Sequence, residues 1–258
     1  MAADVTAEAV VLRRSQTGET DRRLTLLTKE HGKIDVVAKG ARKAGSRLAG
    51  SSEPMVRAVF TWAEGRNRRF VTQVQPVTSY PHLRDDYDKS IAALALLEII
   101  AASLPYESPN PYETDIADVF DHCTKSLEFL ERAIDWSPVI VWSEVKLLEL
   151  EGMHPDWTSC SVTGQGIQEN PTWVSPSAGG MVLSSCADRF GDRFLASAEA
   201  LIALKKVGEL SDPPDRLKGA SECLRILFLF WRHTLESKLP ANETMLQGLP
   251  DLTRPPIG

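Results

Sequence analysis

The feature that most constrains the fold is a change of hydrophobic period at Pro81. Before it, apolar residues alternate every second position in short runs; after it, they recur at helical spacing, interrupted only over residues 153–189. The early runs are residues 7–14, 22–29, 33–38, 55–63 and 68–77, rich in Val, Leu and Thr. They are separated by turn signals at Thr17-Gly18, His31-Gly32 and Glu64-Gly65-Arg66-Asn67. In 55–63, Val56, Ala58, Phe60 and Trp62 fall on one face, and Arg57, Val59 and Thr61 on the other. Five strands this short, in about seventy-five residues, fit a small closed barrel such as the OB-fold, with an SH3-like barrel as the competing choice. The expected class is therefore α+β multidomain, with an N-terminal OB-fold barrel followed by an all-α domain.

Residues 90–104 are apolar almost all round, as in a central buried helix, and Pro105 stops them. Asn110-Pro111-Tyr112-Glu113 sets an N-cap, a proline and a capping-box glutamate in register. Ile116, Val119, Phe120, Cys123, Leu127 and Leu130 follow at helical spacing, and Ser137-Pro138 starts another helix that Gly152 ends. Two more helices are expected over 192–207 and 212–239. Residues 153–189 have no period and are dense in Pro and Gly, so they should form a small fold of their own. The domains are drawn as 1–80, then 81–152 with 191–258, with 153–190 as an insert.

Charge separates along the same division. The chain carries a net charge of −6, yet residues 1–75 hold 14 Lys and Arg against 8 Asp and Glu, leaving +6 there and −12 in the remainder. Such polarity suits a module facing nucleic acid joined to an acidic body. The cations crowd residues 38–54, where Lys39, Arg42, Lys43 and Arg47 stand among Gly, Ala and Ser with Leu48 as the single large apolar residue. A polar loop of this kind suits a phosphate backbone, and Arg13, Arg14, Arg66, Arg68 and Arg69 could assist it. The competing account is a solvated loop that keeps the protein soluble. Phe60, Trp62, Phe70 and Tyr80 alternate with valines, so core positions are expected in preference to base-stacking platforms.

Chemistry has little foothold. No H-E-x-x-H, G-x-S-x-G or phosphate loop occurs, and His82, His122, His154 and His233 have no partner at recognisable spacing. Cys123 and Cys223 sit on apolar stripes. Cys160-Ser161-Val162-Thr163-Gly164 and Leu183-Ser184-Ser185-Cys186 look like two C-x-x-C knuckles that have each lost a cysteine. Two thiolates do not close a tetrahedral zinc shell, even with His154 as a third ligand, so no cofactor is expected. Trp157, Trp173 and Val182 could hold the insert by packing. The absence of a long apolar run or signal peptide leads us to expect a cytoplasmic protein with no membrane partner.

Ala9-Val10-Val11-Leu12, Gly18-Glu19 with Asp21, Leu26-Leu27-Thr28 with Glu30 and Gly32-Lys33, then Ala38-Lys39-Gly40-Ala41-Arg42-Lys43, Ser46-Arg47 and Glu53-Pro54 together resemble the bacterial RecO recombination mediator family. The likeness extends more weakly through the helices and the knuckles, with Gly179-Gly180 before the second. It implies an OB-fold, a helical C-terminal domain and an inserted zinc ribbon, although Thr163 and Leu183 stand where the family has cysteines. It implies binding of single- and double-stranded DNA, strand annealing, and action with RecR to load RecA onto strands coated by single-stranded DNA-binding protein (SSB). For the SSB C-terminal tail, an acidic peptide with an aromatic anchor, the expected face is Lys218, Arg225 and Arg232, seven residues apart and bordering Phe228 and Trp231. An RNA- or ribosome-binding barrel and a thiol-dependent enzyme using Cys160 or Cys186 are the alternatives from other classes.

Overall fold

Five strands close on themselves in the order β1-β2-β3-β5-β4. They are β1 (Val5–Thr17), β2 (Asp21–Thr28), β3 (Gly32–Ala38), β4 (Arg57–Glu64) and β5 (Arg69–Thr78). The structure, a computed structural model, describes residues 4–106, 116–235 and 237–249. The Asn110-to-Glu113 cap lies outside the described residues.

Antiparallel ladders join β1 to β2, β2 to β3, β1 to β4 and β4 to β5. Closure rests on a parallel pairing of β3 with β5 through Val36↔Arg69 and Val37↔Phe70. Alternation sends Ala7, Ala9, Val11, Leu24, Leu26, Ile34, Val36, Ala58, Phe60, Trp62 and Val71 inward to one core. The face assignment read from β4 holds: Ala58, Phe60 and Trp62 are buried, and Arg57, Val59 and Thr61 are partly exposed. The β2–β3 turn needs glycine, because Gly32 has φ +65° and a Cβ there would stand 2.9 Å from Ile116 Cδ1.

Packing divides the chain into two compact units at Arg132. The first adds to the barrel α1 (Leu48–Ser51), α2 (Pro81–Asp85), α3 (Tyr87–Ser103) and α4 (Ile116–Arg132). Asp86 caps α3 by accepting from the Lys89 N–H at 3.1 Å, and Leu96, Leu97, Ile99 and Ile100 are fully buried. The Glu131 carboxylate of α4 accepts from the N–H groups of His82 and Leu83, which open α2. Arg57 bridges Glu8 and Glu128, and Lys29 pairs with Asp121, so α4 is tied to the barrel by charge as well as by its apolar stripe.

The second unit holds α5 (Ser137–Leu150), β6 (Thr172–Ser175), β7 (Gly180–Val182), α6 (Ser184–Ala187), β8 (Phe194–Ala196), α7 (Ala198–Gly208), α8 (Ala220–Leu235) and α9 (Pro240–Gln247). Its strands form a sheet in the order β7-β6-β8, to which the aperiodic stretch contributes β6 and β7 while β8 lies beyond it. Two expected helices are corrected. Residues 194–196 pair with 172–174 as β8, and α7 starts only after Ser197, whose hydroxyl accepts from the Ala200 N–H. Pro213, Pro214 and the positive φ of Gly219 delay α8 to Ala220, and Pro240 opens a separate α9. Among the described residues no helix is long and apolar enough to cross a membrane.

Candidate nucleic-acid interface

Register gathers three loops at one end of the barrel. Thr17 faces Asp21, Arg22 faces Ala38, Val37 faces Phe70 and Glu64 faces Arg69, so the β1–β2, β3–α1 and β4–β5 connections leave the same rim. In OB-folds the loops at such positions, with the neighbouring strand face, are where oligonucleotides bind.

The β3–α1 loop is less free than its composition suggests. Ala41 is fully buried and Leu48 packs against the barrel core, so two small anchors fix a run of turns between them. Asp21 accepts from the Gly40 N–H at 2.8 Å. That hydrogen bond, aided by the Thr20 hydroxyl and by Lys39 and Lys43 nearby, holds the Asp21 carboxyl below its usual range. The Arg42 N–H donates to Thr20 O at 2.9 Å, and its guanidinium donates to Glu19 O at 3.0 Å. Lys39, Arg42, Lys43 and Arg47 are thereby exposed on a fixed framework.

On the neighbouring β4–β5 loop Arg66 and Arg68 are exposed, and with Arg23, Asn67 and Arg69 they line a polar cleft of about 400 Å³ that also contains Asp35 and Glu64. Arg69 is neutralised by Glu64 at 2.8 Å. Arg23 escapes a sequence reading, since a cation near the start of a strand looks like any solvated edge; only the register at Val37 turns it toward the cleft.

The two β1 arginines behave differently. Arg13 donates to Glu98 O on α3 at 3.1 Å, and Arg14 pairs with Glu53 at 2.9 Å. Both lie on the strand, opposite Thr25 and Leu24. Phe70 also departs from expectation. Phe60, Trp62 and Tyr80 are buried, but Val71 takes the inward position on β5, leaving Phe70 outward and half-buried with Lys39 Nζ 4.2 Å above its ring.

In the second unit, Arg225 and Phe228 line a groove with Leu229, Glu243, Leu246, Gln247 and Leu249, and Arg225 donates to Leu249 O. Arg232 lies 5.5 Å over Phe228. The seven-residue face breaks at its start: Lys218 precedes the helix, and Gly219 turns the chain between them. Trp231 is fully buried, so it packs the core and does not line the groove.

Cys160, Val182 and Cys186 form one small core with Ile167, Trp173, Ala178, Leu183 and Phe190 around it. Burial raises the Cys160 pKa, but hydrogen bonds from the Leu183 N–H, the Thr163 hydroxyl and N–H, and the Val162 N–H outweigh it and bring it down to about 7. The thiol is nonetheless only 1% exposed. His154 stands 3.6 Å from Glu149. Among the described residues no group of three His, Cys, Asp or Glu could hold a metal ion, so this donor set does not fit the tetrahedral zinc that a ribbon would need. Cys123 and Cys223 are buried, and desolvation pushes both up to about 12.

Barrel, loops and helices together define a class: an OB-like barrel with cations gathered at one rim, followed by a helical domain. The family model described as Recombination protein O N terminal matches residues 1–80, and that described as Recombination protein O C terminal matches residues 84–243. This chain belongs to the Recombination protein O family. Among its relatives, the DNA repair protein RecO of Desulfitobacterium hafniense is 37% identical over 181 residues, 70% of this chain. The chain spans 63% of that protein's length. The proteins of the same name from Heliobacterium modesticaldum and Dehalococcoides mccartyi are 30% and 28% identical, covering 92% and 97% of this chain and 85% and 97% of their own.

Proposed function

We propose that the chain acts in DNA repair and recombination by gripping DNA phosphates at the loop rim of its barrel. The observation that carries this reading is the cluster of Lys39, Arg42, Lys43 and Arg47 on a loop anchored by Ala41 and Leu48, beside Arg66 and Arg68. Backbone contacts leave bases free, so two complementary strands held this way can pair on the surface. The resemblance extends the reading to both single and double strands, to cooperation with RecR, and to loading of RecA on SSB-coated DNA. The groove at Arg225 and Phe228 would receive the SSB tail. In this reading the chain binds and pairs strands and is not an enzyme, it works in the cytoplasm at the nucleoid, and its cysteine core needs no metal. Near-stoichiometric zinc in elemental analysis of the purified protein would overturn the last point.

Neutralising about five phosphates predicts a log–log salt slope near −3.5 on single strands, so affinity should fall roughly a hundredfold between 50 and 200 mM salt. Replacing Lys39, Arg42 and Lys43 by alanine should flatten the slope by about two units, weaken all sequences alike and slow annealing. A wild-type slope in that variant, or loss on some sequences only, would place the grip elsewhere. Direct competition between single-stranded DNA and structured RNA separates this function from an RNA-binding one.

A further inference from the structure

Phe70 is the one aromatic of the described barrel strands that is not buried, and its position is specific. It stands at the β3–β5 closure, opposite Val37, between the Lys39 loop on one side and the arginine cleft on the other. The β4–β5 turn comes up against its edge: a Cβ at Gly65 would stand 3.1 Å from Phe70 Cε2 and 2.6 Å from Arg68 O, so only glycine allows the turn to sit this close. The Lys39 ammonium stands over the ring at 4.2 Å, and the side chain is only half-buried.

We propose that Phe70 is a stacking platform for one unpaired nucleobase, which displaces Lys39 from the ring toward the adjoining phosphate. This rests on the phosphate-binding reading above and adds to it a way of telling single strands from duplex. An exposed cation–π contact is worth a factor of about two to five in an equilibrium. Stacking a base on an aromatic side chain is worth roughly a factor of five to a hundred in affinity. The exchange therefore runs toward the base, and the released ammonium keeps its charge on the same rim as the β4–β5 loop. In duplex DNA both faces of a base are already occupied by its neighbours, so the platform serves only an unpaired or splayed nucleotide.

The test compares the full-length protein on two fluorescent strands of equal length, oligothymidine and a strand of abasic residues, which carry the same phosphates. Wild type should prefer oligothymidine by about tenfold. Phe70→Leu keeps the apolar contact with the turn but lacks the ring. It should lose that preference while its salt slope on the abasic strand stays as in wild type. Phe70→Trp should keep the preference, and its added indole emission should be quenched by oligothymidine but not by the abasic strand; this readout stands even if the leucine variant folds poorly. An undiminished preference in Phe70→Leu, or no quenching in Phe70→Trp, overturns the platform and leaves the phosphate grip intact. Absence of salt-dependent binding to either strand overturns the phosphate grip, and the platform with it.

Discussion

The loop rim of the barrel and helix α5 of the second unit treat charge in opposite ways. At the rim, Lys43, Arg47, Arg66 and Arg68 are exposed and form no ion pair with a described residue. On α5, Glu144 is 1% exposed, and neither carboxylate oxygen has a hydrogen-bond partner among the described residues. An exposed charge contributes little to folding and is available to a ligand. A buried, unpartnered one acts on folding alone. Ionic effects should therefore appear as salt dependence of binding at the rim, and as pH dependence of stability at α5.

The sharpest test of that contrast is Glu144. Desolvation pushes its pKa up to about 8 from the usual 4.5, so between those values the native protein keeps a proton that the unfolded chain has lost. Stability must then fall as pH rises through that window, by roughly 5 kcal/mol in all, and level off above it. Urea denaturation at a series of pH values should show the decline, and Glu144→Gln should flatten it and exceed wild type in stability at pH 8.5. A flat wild-type profile would mean that the carboxyl is hydrated or partnered in solution.

Next in size is the rim itself. The Lys39, Arg42, Lys43 triple alanine variant should lose on the order of a hundredfold in DNA affinity at 50 mM salt with its thermal midpoint nearly unchanged. A large drop in midpoint would show that these cations hold the fold after all.

Arg22 lies between the two extremes. It is on the barrel close to the basic loop, but its side chain is 14% exposed and donates to Ala49 O, the Ser52 hydroxyl and Glu53. Arg22→Ala should cost about 1–3 kcal/mol of stability and leave the salt slope alone. A slope flattened by a full unit would move Arg22 into the DNA contact set.

The smallest expected effect is at the groove of the second unit, where Arg225 shares the lining with Phe228 and Glu243, and Arg232 lies over Phe228. Arg225→Glu with Arg232→Glu should weaken an acidic tail peptide by a few-fold to about tenfold, the range of partly exposed charges. Unchanged affinity in calorimetry would put the peptide site elsewhere.

The barrel was legible because β-strands state themselves twice, in alternation and in the turns that end them. Gly18 and Gly32 both take positive φ at the expected turns. Cation positions on the rim loops were legible for the same reason, since loops follow from strands. Pairing was not. Nothing local shows that Glu53 binds Arg14 and Arg22, more than thirty residues back, or that Arg13 reaches a carbonyl on α3. Strands as short as β7 and β8, three residues each, are below the length at which a period exists, which is why 194–196 read as the start of a helix. Phe70 was misplaced by a subtler cause. The β4–β5 ladder slips between Thr61 and Trp62, so alternation along β5 does not carry over from β4.

The two residue pairs that close the barrel also fix the order in which it can assemble. β1, β2 and β3 join through turns of a few residues and can pair early, whereas β3 meets β5 only across some thirty intervening residues, a loop whose entropy is lost before any contact rewards it. Closure is therefore the late event in folding. A chain still emerging from the ribosome, with its first three strands already in register, would have a basic loop but no completed rim to hold a strand of DNA. Pulse-labelled amide exchange during refolding should protect Leu26 and Ile34 before Phe70; simultaneous protection would place closure within the folding nucleus.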